Sequence, residues 1–382
     1  MSPLRVAVVG YGWMGQVHAR AWSRLRQHYP DAPFRPELVA VADPSAQARD
    51  LALATYADVA TYEDWRELLA RDDLDVVSMA GPNALHHEVG VAVAESGRHL
   101  WIEKPAGRRL AETQAIADAV ETAGVQSAAG FNYRNAPAVE WARELVRGGR
   151  LGQVQTVEVR FLADYAAHPD GGLSWRFIDE HAGSGVLGDL VSHAADLACH
   201  LAGEVAELVA DEGRFITERP LVAGAGSHFA RGGDGERGRV ENEDYVGALL
   251  RFASGARGTL AASRTAVGEQ CTYGFSVHGS AGALEWDFRR MGELRVCLDQ
   301  DPQDAAYRTV YVDRNHGETA AFQPAGGIAL GYDDLKVIEA HRLARSIAAD
   351  QPEGATIHDA VRAARLAQAM ATSVSTRGWT PC

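Results

Sequence analysis

A glycine-rich turn near the start of the chain constrains the fold more than any other feature. The apolar run Leu4–Val9 leads directly into Gly10-Tyr-Gly-Trp-Met-Gly15, and an amphipathic pattern follows over residues 17–25. A strand, a GxGxxG turn and a helix in this order are typical of a dinucleotide-binding Rossmann domain. The first glycine allows the turn, the second admits a pyrophosphate and the third lets the helix pack closely on the strand. The predicted cofactor contacts in this turn are Gly10, Gly12, Trp13, Met14 and Gly15.

The next predicted strand, residues 38–42, ends on Asp43. A carboxylate at this point accepts hydrogen bonds from the adenosine ribose and repels a 2′-phosphate, so it favours NAD over NADP. A polar insert over residues 27–37 lengthens the spacing between the glycines and this acid. Asp43-Pro-Ser is also typical of a helix N-cap followed by proline, and the two roles can coexist.

Two later strands also end on polar residues. A short buried strand predicted over residues 75–79 leads into Gly81-Pro82-Asn83, a turn expected to line the nicotinamide half of the cofactor together with His86. Adjacent histidines do not share a helix face, so His86-His-Glu88 predicts no metal site. Helices are expected over residues 45–54, 62–69, 88–96 and 110–123, with another strand over 125–130.

The run Leu100–Ile102 ends abruptly on Glu103-Lys104-Pro105. Proline lacks a backbone donor and suits a strand end, where a cis bond is allowed. A lysine at the carboxyl edge of a parallel sheet lies where open α/β sheets bind ligands. Alone, such a lysine is more typical of a charged surface residue, and its significance depends on the dinucleotide turn that precedes it. Glu103 and Lys104 are also predicted to contact the cofactor.

The second half of the chain changes character. Residues 154–161, 245–252 and 257–263 alternate apolar and polar side chains, which indicates antiparallel strands with one open face. A glycine-rich stretch, residues 183–188, precedes Asp189 and His193, which lie four positions apart and therefore on one helix face. The predicted fold is α/β, with a doubly wound Rossmann domain over residues 1–130 and an α/β domain with a large, mostly antiparallel open sheet over residues 131–382.

These motifs, in this order, resemble the Gfo/Idh/MocA oxidoreductases. The resemblance covers the GxGxxG turn, Asp43, the Pro-Asn turn, Glu-Lys-Pro and the DxxxH spacing. It implies that Lys104, Asp189 and His193 are catalytic, with His193 as general base, Lys104 hydrogen-bonded to the same hydroxyl, and Asp189 orienting hydroxyls or the imidazole. The family is interpreted both ways on the identity of the general base, so whether Lys104 or His193 takes the proton stays open. The family also implies that another subunit covers the open sheet, as a homodimer or homotetramer.

The resemblance further implies oxidation of a secondary hydroxyl of a sugar, glycoside or polyol, and it is strongest to inositol, glucoside and anhydrosugar dehydrogenases. Among the predicted substrate contacts only Arg134 and Arg176 are arginines that could clamp a charged substrate, which favours an uncharged one. The predicted substrate contacts are Lys104, Tyr133, Arg134, Trp175, Arg176, Asp189 and His193. Three alternatives remain: a redox-neutral NAD-dependent glycosidase, a non-catalytic dinucleotide sensor, and an NADP-dependent reductase, which Asp43 opposes.

Composition restricts the partners. The 382 residues carry a formal charge of −14 and no basic stripe, which disfavours a nucleic acid partner. The chain has neither an apolar run of bilayer length nor a signal peptide pattern, so we expect no membrane partner and a cytoplasmic location. The four cysteines are scattered without zinc-site spacing. Residues 223–239, rich in glycine and charge, are predicted to be a surface loop.

Overall fold

The structure is a computed structural model, which describes residues 2–221, 235–298, 301 and 303–382. The chain divides into two compact units. The first contains residues 1–135 and 330–361, and the second contains residues 136–329 and 362–382. The α-helices are α1 (Trp13–His28), α2 (Ala46–Thr55), α3 (Trp65–Leu69), α4 (Asn83–Glu95), α5 (Leu110–Ala123), α6 (Pro137–Arg147), α7 (Asp179–Ala182), α8 (Ser192–Ala202), α9 (Tyr332–Ala349) and α10 (Ile357–Thr376).

The first unit is built on a parallel sheet. Its strands are β1 (Pro3–Val9), β2 (Arg35–Ala42), β3 (Ala60–Tyr62), β4 (Val76–Met79), β5 (His99–Ile102) and β6 (Ser127–Ala129). They lie in the order β3-β2-β1-β4-β5-β6, and every neighbouring pair is parallel. This is the Rossmann strand order, in which the direction of winding reverses between β1 and β4 and ligands bind at the carboxyl ends. The predicted Rossmann fold is confirmed.

Two helices predicted in this unit are present, but they begin at other residues than expected. Residues 60–62 form β3, so the helix expected over residues 62–69 is confined to α3. Helix α4 begins at Asn83 rather than near residue 88, because Pro82 occupies the N-cap position with extended backbone and the helix starts directly after it. The Gly81-Pro82-Asn83 turn is therefore a strand-to-helix junction like the glycine turn after β1.

The second unit contains a nine-stranded sheet in the described part of the chain. Its strands are β7 (Val154–Leu162), β8 (Val205–Gly213), β11 (Tyr245–Phe252), β12 (Arg257–Ser263), β13 (Thr272–Gly279), β14 (Gly282–Asp287), β15 (Glu293–Cys297), β16 (Arg308–Tyr311) and β17 (Thr380–Pro381), while β9 (Glu218–Pro220) and β10 (Arg237–Arg239) form a separate pair. Only β7 and β12 pair in parallel among these strands. In β7, buried Val157, Val159 and Phe161 alternate with exposed Glu158 and Arg160. The predicted mostly antiparallel sheet with one open face is confirmed.

The segment 330–361 belongs to the first unit although it follows most of the second in sequence. Helix α9 packs on α1, the helix that follows the glycine turn. Arg20 bonds to Asp333 and Arg24 to Asp334, both at 2.7 Å. The predicted division into residues 1–130 and 131–382 did not anticipate this return of the chain.

Two sequence features fall at the edge of what the structure describes. Of the predicted loop over residues 223–239, residues 223–234 lie outside the described residues, and Arg237–Arg239 form β10. In the part of the chain that is described, no helix combines the length and the apolar character needed to cross a membrane.

Candidate active site

The glycine turn after β1 is shaped by close backbone contacts. Gly10 has φ of +84°, and a Cβ there would lie 2.5 Å from the Gly81 backbone. A Cβ on Gly15 would lie 1.9 Å from the Gly10 carbonyl oxygen, so only glycine fits at either position. Gly12 differs, because a Cβ there would meet nothing within 4 Å. No side chain caps α1, so the space beside Gly12 faces main-chain donors of a helix N-terminus, which suits a pyrophosphate.

Asp43 is tied to this turn. Its Oδ2 accepts a hydrogen bond from the Tyr11 main-chain nitrogen at 2.7 Å, and its Oδ1 accepts one from the Ser45 nitrogen at 2.8 Å. The N-cap of α2 is Ser45, whose hydroxyl accepts from Ala48 at 3.4 Å, so the suggestion that Asp43 caps this helix was wrong. The carboxylate thus fixes the second strand end against the glycine turn. Its contact with a ribose stays a prediction.

His86 braces two of the strand ends. The ring is buried, with Nδ1 2.8 Å from the Pro105 carbonyl oxygen and Nε2 2.9 Å from that of Gly81. Both ring nitrogens therefore contact main-chain carbonyls. Through these two contacts the His86 ring joins the Gly81-Pro82-Asn83 turn to the Glu103-Lys104-Pro105 turn. Pro82 is exposed and Asn83 half-buried at the start of α4. No cluster of His, Cys, Asp and Glu capable of holding a metal occurs among the described residues.

Glu103 lies at the centre of a buried polar cluster. Its Oε1 accepts hydrogen bonds from His18 Nε2 at 2.9 Å and from the Lys336 ammonium, and its Oε2 accepts from the Lys104 main-chain nitrogen at 3.3 Å. Lys336 also pairs with Glu339 Oε2 at 2.9 Å. The Glu103 carboxylate therefore points into the protein and holds the backbone of Lys104.

The protonation states in this cluster follow from burial and charge. Burial by itself raises the pKa of Glu103, but the Lys336 ammonium and the His18 hydrogen bond outweigh it and hold that pKa well below its usual range. Burial lowers the pKa of His18 to about 4, and it raises the pKa of Glu339 to about 7. For Lys336, burial disfavours the ammonium, yet the two carboxylates raise its pKa. At neutral pH the core of the cluster is a Glu103 carboxylate and a Lys336 ammonium beside a neutral imidazole.

Lys104 itself follows directly after β5 and is half-buried. Its strand is fixed from both sides, because the Glu103 nitrogen donates to the Met79 carbonyl at 2.9 Å and the Gly130 nitrogen to the Ile102 carbonyl at 2.8 Å. The Lys104–Pro105 peptide bond is cis. The lysine is thus presented from a rigid strand end at the same sheet edge as the glycine turn.

In the second unit, Asp189 lies in a π-helical turn, Leu187–Val191, which runs into α8 and the buried His193. Such π-turns are frequent at functional sites. The Tyr165 hydroxyl donates to Asp189 Oδ2 at 2.7 Å, and the Tyr273 hydroxyl donates to the His193 carbonyl oxygen at 2.8 Å. Burial, followed by the Asp189 charge, raises the pKa of Tyr165 well above its usual value, so the phenol remains a donor.

The glycines before this turn allow a close approach of another strand end. A Cβ on Gly185 would lie 2.0 Å from the Glu243 carbonyl oxygen, and the Glu243 side chain accepts from the Leu187 nitrogen at 2.8 Å. Burial raises the pKa of Glu243. The position of Asp189 is therefore set by Glu243 through the backbone and by Tyr165 through the side chain.

The other predicted substrate residues lie in both units. In the first, Tyr133 is buried edge-on to Tyr332, which stacks on Trp13 with centroids 5.3 Å apart. Arg134 is buried and paired with Asp359 at 2.9 Å, an arrangement that supports the local fold. In the second, Arg176 covers the Trp175 ring at 4.4 Å, and both side chains are half-buried.

The structure thus brings the predicted residues together in two groups. Gly10 to Gly15, Asp43, Gly81 to His86 and Glu103-Lys104 share one sheet edge of the first unit, while Asp189 and His193 share one helical segment of the second. Sequence reasoning missed Lys336 and His18. The signal for Lys336 was a lysine and a glutamate inside the otherwise apolar run 335–340 of an amphipathic helix.

Comparison with known proteins covers both units. A profile described as an oxidoreductase family with an NAD-binding Rossmann fold matches residues 4–131, and one described as a GFO/IDH/MocA C-terminal domain matches residues 139–285. Levoglucosan dehydrogenase of Pseudarthrobacter phenanthrenivorans is 33% identical over 382 residues, covering 99% of this chain and 98% of that protein. Myo-inositol 2-dehydrogenase of Thermotoga maritima is 26% identical over 313 residues, covering 81% and 82%. A levoglucosan dehydrogenase structure in complex with NADH and L-sorbose gives a TM-score of 0.94 at 32% identity, covering 100% of this chain and 99% of that one.

Proposed function

The chain belongs to the Gfo/Idh/MocA family of oxidoreductases, and we propose that it oxidises a secondary hydroxyl of a sugar, glycoside or polyol to a ketone. The predictions of an oxidoreductase and of an NAD-binding Rossmann domain are confirmed by the family match. The open space beside Gly12, the uncapped start of α1 and the position of Asp43 all fit NAD, and these residues would hold it.

One observation carries the substrate class. The similarity to levoglucosan dehydrogenase extends over nearly the whole of both chains, including the second unit, which carries Asp189 and His193. We therefore propose an uncharged anhydrosugar of the levoglucosan type as the first candidate, with inositols and glucosides next. The half-buried pair of Trp175 and Arg176 offers a flat face and donors, which suits a sugar ring.

The catalytic roles are proposals for three residues. The residues of the first unit described above would hold NAD, which would supply the hydride acceptor for the carbinol carbon. Lys104 donates a hydrogen bond to the reacting hydroxyl from its rigid strand end, and Asp189, held by Tyr165, accepts from the substrate hydroxyls and orients them. His193 takes the hydroxyl proton as general base, so that the C–O bond becomes a carbonyl as the C–H bond breaks.

Lys104 is the alternative base, and pH dependence separates the two. The ascending limb of a kcat/KM profile reports the base of the free enzyme. That limb should disappear in His193→Asn and persist in Lys104→Met if His193 is the base. The opposite pattern would assign the proton to Lys104.

A panel of levoglucosan, inositols and methyl glucosides, assayed by the absorbance of NADH with NAD and with NADP, tests the proposal. We expect turnover with NAD, and a loss of roughly 10²- to 10⁴-fold in Lys104→Ala and in His193→Ala. NADH affinity, measured by fluorescence titration, should be retained in both. The exposed Arg109→Ala is the matched control for Lys104. Unchanged turnover in both active-site variants would refute the site assignment.

The same panel tests the alternatives. A redox-neutral glycosidase would cleave glycosides without net NADH, and a sensor would bind NADH and turn over nothing. Retention of Lys104 and His193 favours the dehydrogenase, because a sensor has no need for either.

We also propose that a second subunit covers the open face of the nine-stranded sheet. A cavity of about 540 Å³ lies there, and its lining includes Glu158, Arg160, Glu285 and Arg295. Charges of both signs suit contact between two copies of one surface. Light scattering after gel filtration should give a dimer or tetramer, which Arg160→Glu should weaken; a monomer would contradict the prediction. The cytoplasmic location stays a prediction.

A further inference from the structure

Lys336 is a buried cation that no part of the proposed chemistry uses. It lies in α9, 233 residues from Glu103, and is fully buried. Its ammonium contacts Glu103 and Glu339 and lies 5.4 Å from the centre of the Trp101 ring. An unpaired ammonium in this position would be very costly, so the carboxylates are a condition of its burial.

Stability alone does not account for this arrangement. A buried ion pair often contributes little, because desolvation of the two charges offsets their attraction, and apolar replacements of similar volume are often neutral or stabilising. Its neighbours along α9, Leu335, Val337 and Ile338, are all buried, and the ring of Trp101 lies beside the ammonium. A methionine would suit such a site, and the charge therefore calls for another explanation.

The contacts of Glu103 supply one. The carboxylate is held by Lys336 and His18 through Oε1, while its Oε2 accepts from the main-chain nitrogen of Lys104. On another side, the carboxylate occupies the space that a Cβ on Gly130 would need, since such a Cβ would lie 2.7 Å from it, so only glycine leaves room for the Glu103 side chain there. The Lys336 ammonium thus fixes a carboxylate that in turn fixes the backbone of Lys104.

We propose that Lys336 is a positioning residue for Lys104, acting through the Glu103 carboxylate. This inference rests on the proposed function, in which Lys104 bonds to the reacting hydroxyl. Displacement of a catalytic group by about 1 Å can cost on the order of 10²-fold in rate. Loss of Lys336 should therefore lower kcat more than it affects cofactor affinity.

The test uses Lys336→Met, Glu103→Gln and the double variant in the full chain. We expect Lys336→Met to lower kcat roughly 10- to 100-fold, with the NADH dissociation constant changed less than about 3-fold. The double variant should be no slower than the slower single variant, because both changes break one chain of contacts. Asp333→Asn, which removes a half-exposed pair from the same helix, is the matched control and should keep its turnover.

Hydrogen exchange of the cofactor-free protein gives a readout independent of activity. The peptide that contains Lys104 should exchange faster in Lys336→Met than in the wild type and in Asp333→Asn. Wild-type exchange and turnover in a folded Lys336→Met would overturn the proposal, as would additive losses in the double variant. If Lys336→Met does not fold, the double variant, which carries neither the Lys336 nor the Glu103 charge, is tested in its place. Wild-type turnover in the double variant would equally overturn the proposal. Full turnover in Lys104→Ala would refute the role proposed for Lys104 and leave the exchange result to stand separately.

Discussion

Replacing Glu339 with glutamine is expected to make the protein progressively more stable than the wild type as the pH rises. Glu339 is buried beside Lys336, and burial raises its pKa to about 7. Below that pH the folded chain holds a protonated carboxyl, which glutamine resembles in shape and hydrogen bonding. The two proteins should therefore have similar stability in acid and diverge toward neutrality.

The sign and size follow from proton linkage. The pKa of Glu339 rises from 4.5 in the unfolded chain to about 7 in the folded one, so its contribution to stability is present below 4.5 and is lost as the pH rises through 7. At about 1.4 kcal/mol per pKa unit, the full loss is roughly 3 kcal/mol, and glutamine avoids it. His18, with its pKa lowered to about 4, acts in the opposite sense between 4 and 6.5, but it is present in both proteins and cancels in their difference.

Urea unfolding of both proteins at about pH 4.5, 5.5, 6.5 and 7.5 measures the effect. A chain with two compact units need not unfold in one step. Hydrogen exchange of the amides in β5 and α9 should therefore be measured as well, because it reports the stability of the first unit alone. Asp333→Asn is the control, because it measures the general effect on stability of removing an acidic side chain from α9. A difference between Glu339→Gln and wild type that stays constant across this range would refute the reasoning, because Glu339 would then be ionised throughout in the folded protein.

Three further substitutions test other parts of the site. Gly15→Ala places a Cβ 1.9 Å from the Gly10 carbonyl oxygen. We therefore expect urea unfolding to show a free energy of unfolding lower by roughly 1–3 kcal/mol, and fluorescence titration to show weaker NADH binding. Wild-type values for both would contradict this packing. Tyr165→Phe removes the hydroxyl donor 2.7 Å from Asp189 and should lower kcat roughly 10-fold with NADH affinity retained. Unchanged kcat would show that this contact does not contribute to turnover. Asp43→Ala should raise the ratio of NADP to NAD efficiency in steady-state kinetics, and a wild-type enzyme that already prefers NADP would refute this role.

The parts of the fold that could be predicted from sequence are those that local chemistry determines. The glycine turn is one, because Gly10 requires a positive φ and Gly15 a missing Cβ whatever the rest of the chain does. The strand ends at Asp43 and Lys104 are others, since a buried apolar run that stops on a charge marks the edge of a sheet. Period-two alternation over residues 154–161, 245–252 and 257–263 likewise indicated the open face of the second sheet, and β7 shows that alternation in the structure.

What sequence could not supply is pairing between distant segments. Nothing in the local pattern of β7 and β12 indicates that these two pair in parallel within a mostly antiparallel sheet. The same holds for Lys336, because its meaning depends on Glu103, 233 residues away. His86 was expected to contact the cofactor, and only the structure shows that both of its ring nitrogens contact main-chain carbonyls.

The return of residues 330–361 to the first unit has a consequence for biosynthesis. A Rossmann domain encoded in one continuous stretch can fold as soon as it leaves the ribosome, whereas this one lacks its last segment, which contains α9 and the start of α10, until residue 361 has emerged. At a synthesis rate of about 5–20 residues per second, the interval between residue 135 and residue 361 lasts on the order of 10–45 s. During that time the face of α1 that α9 will cover is exposed, and the Glu103 carboxylate has not yet met the Lys336 ammonium. The nascent chain therefore leaves this face of α1 uncovered for far longer than the strand order alone would suggest.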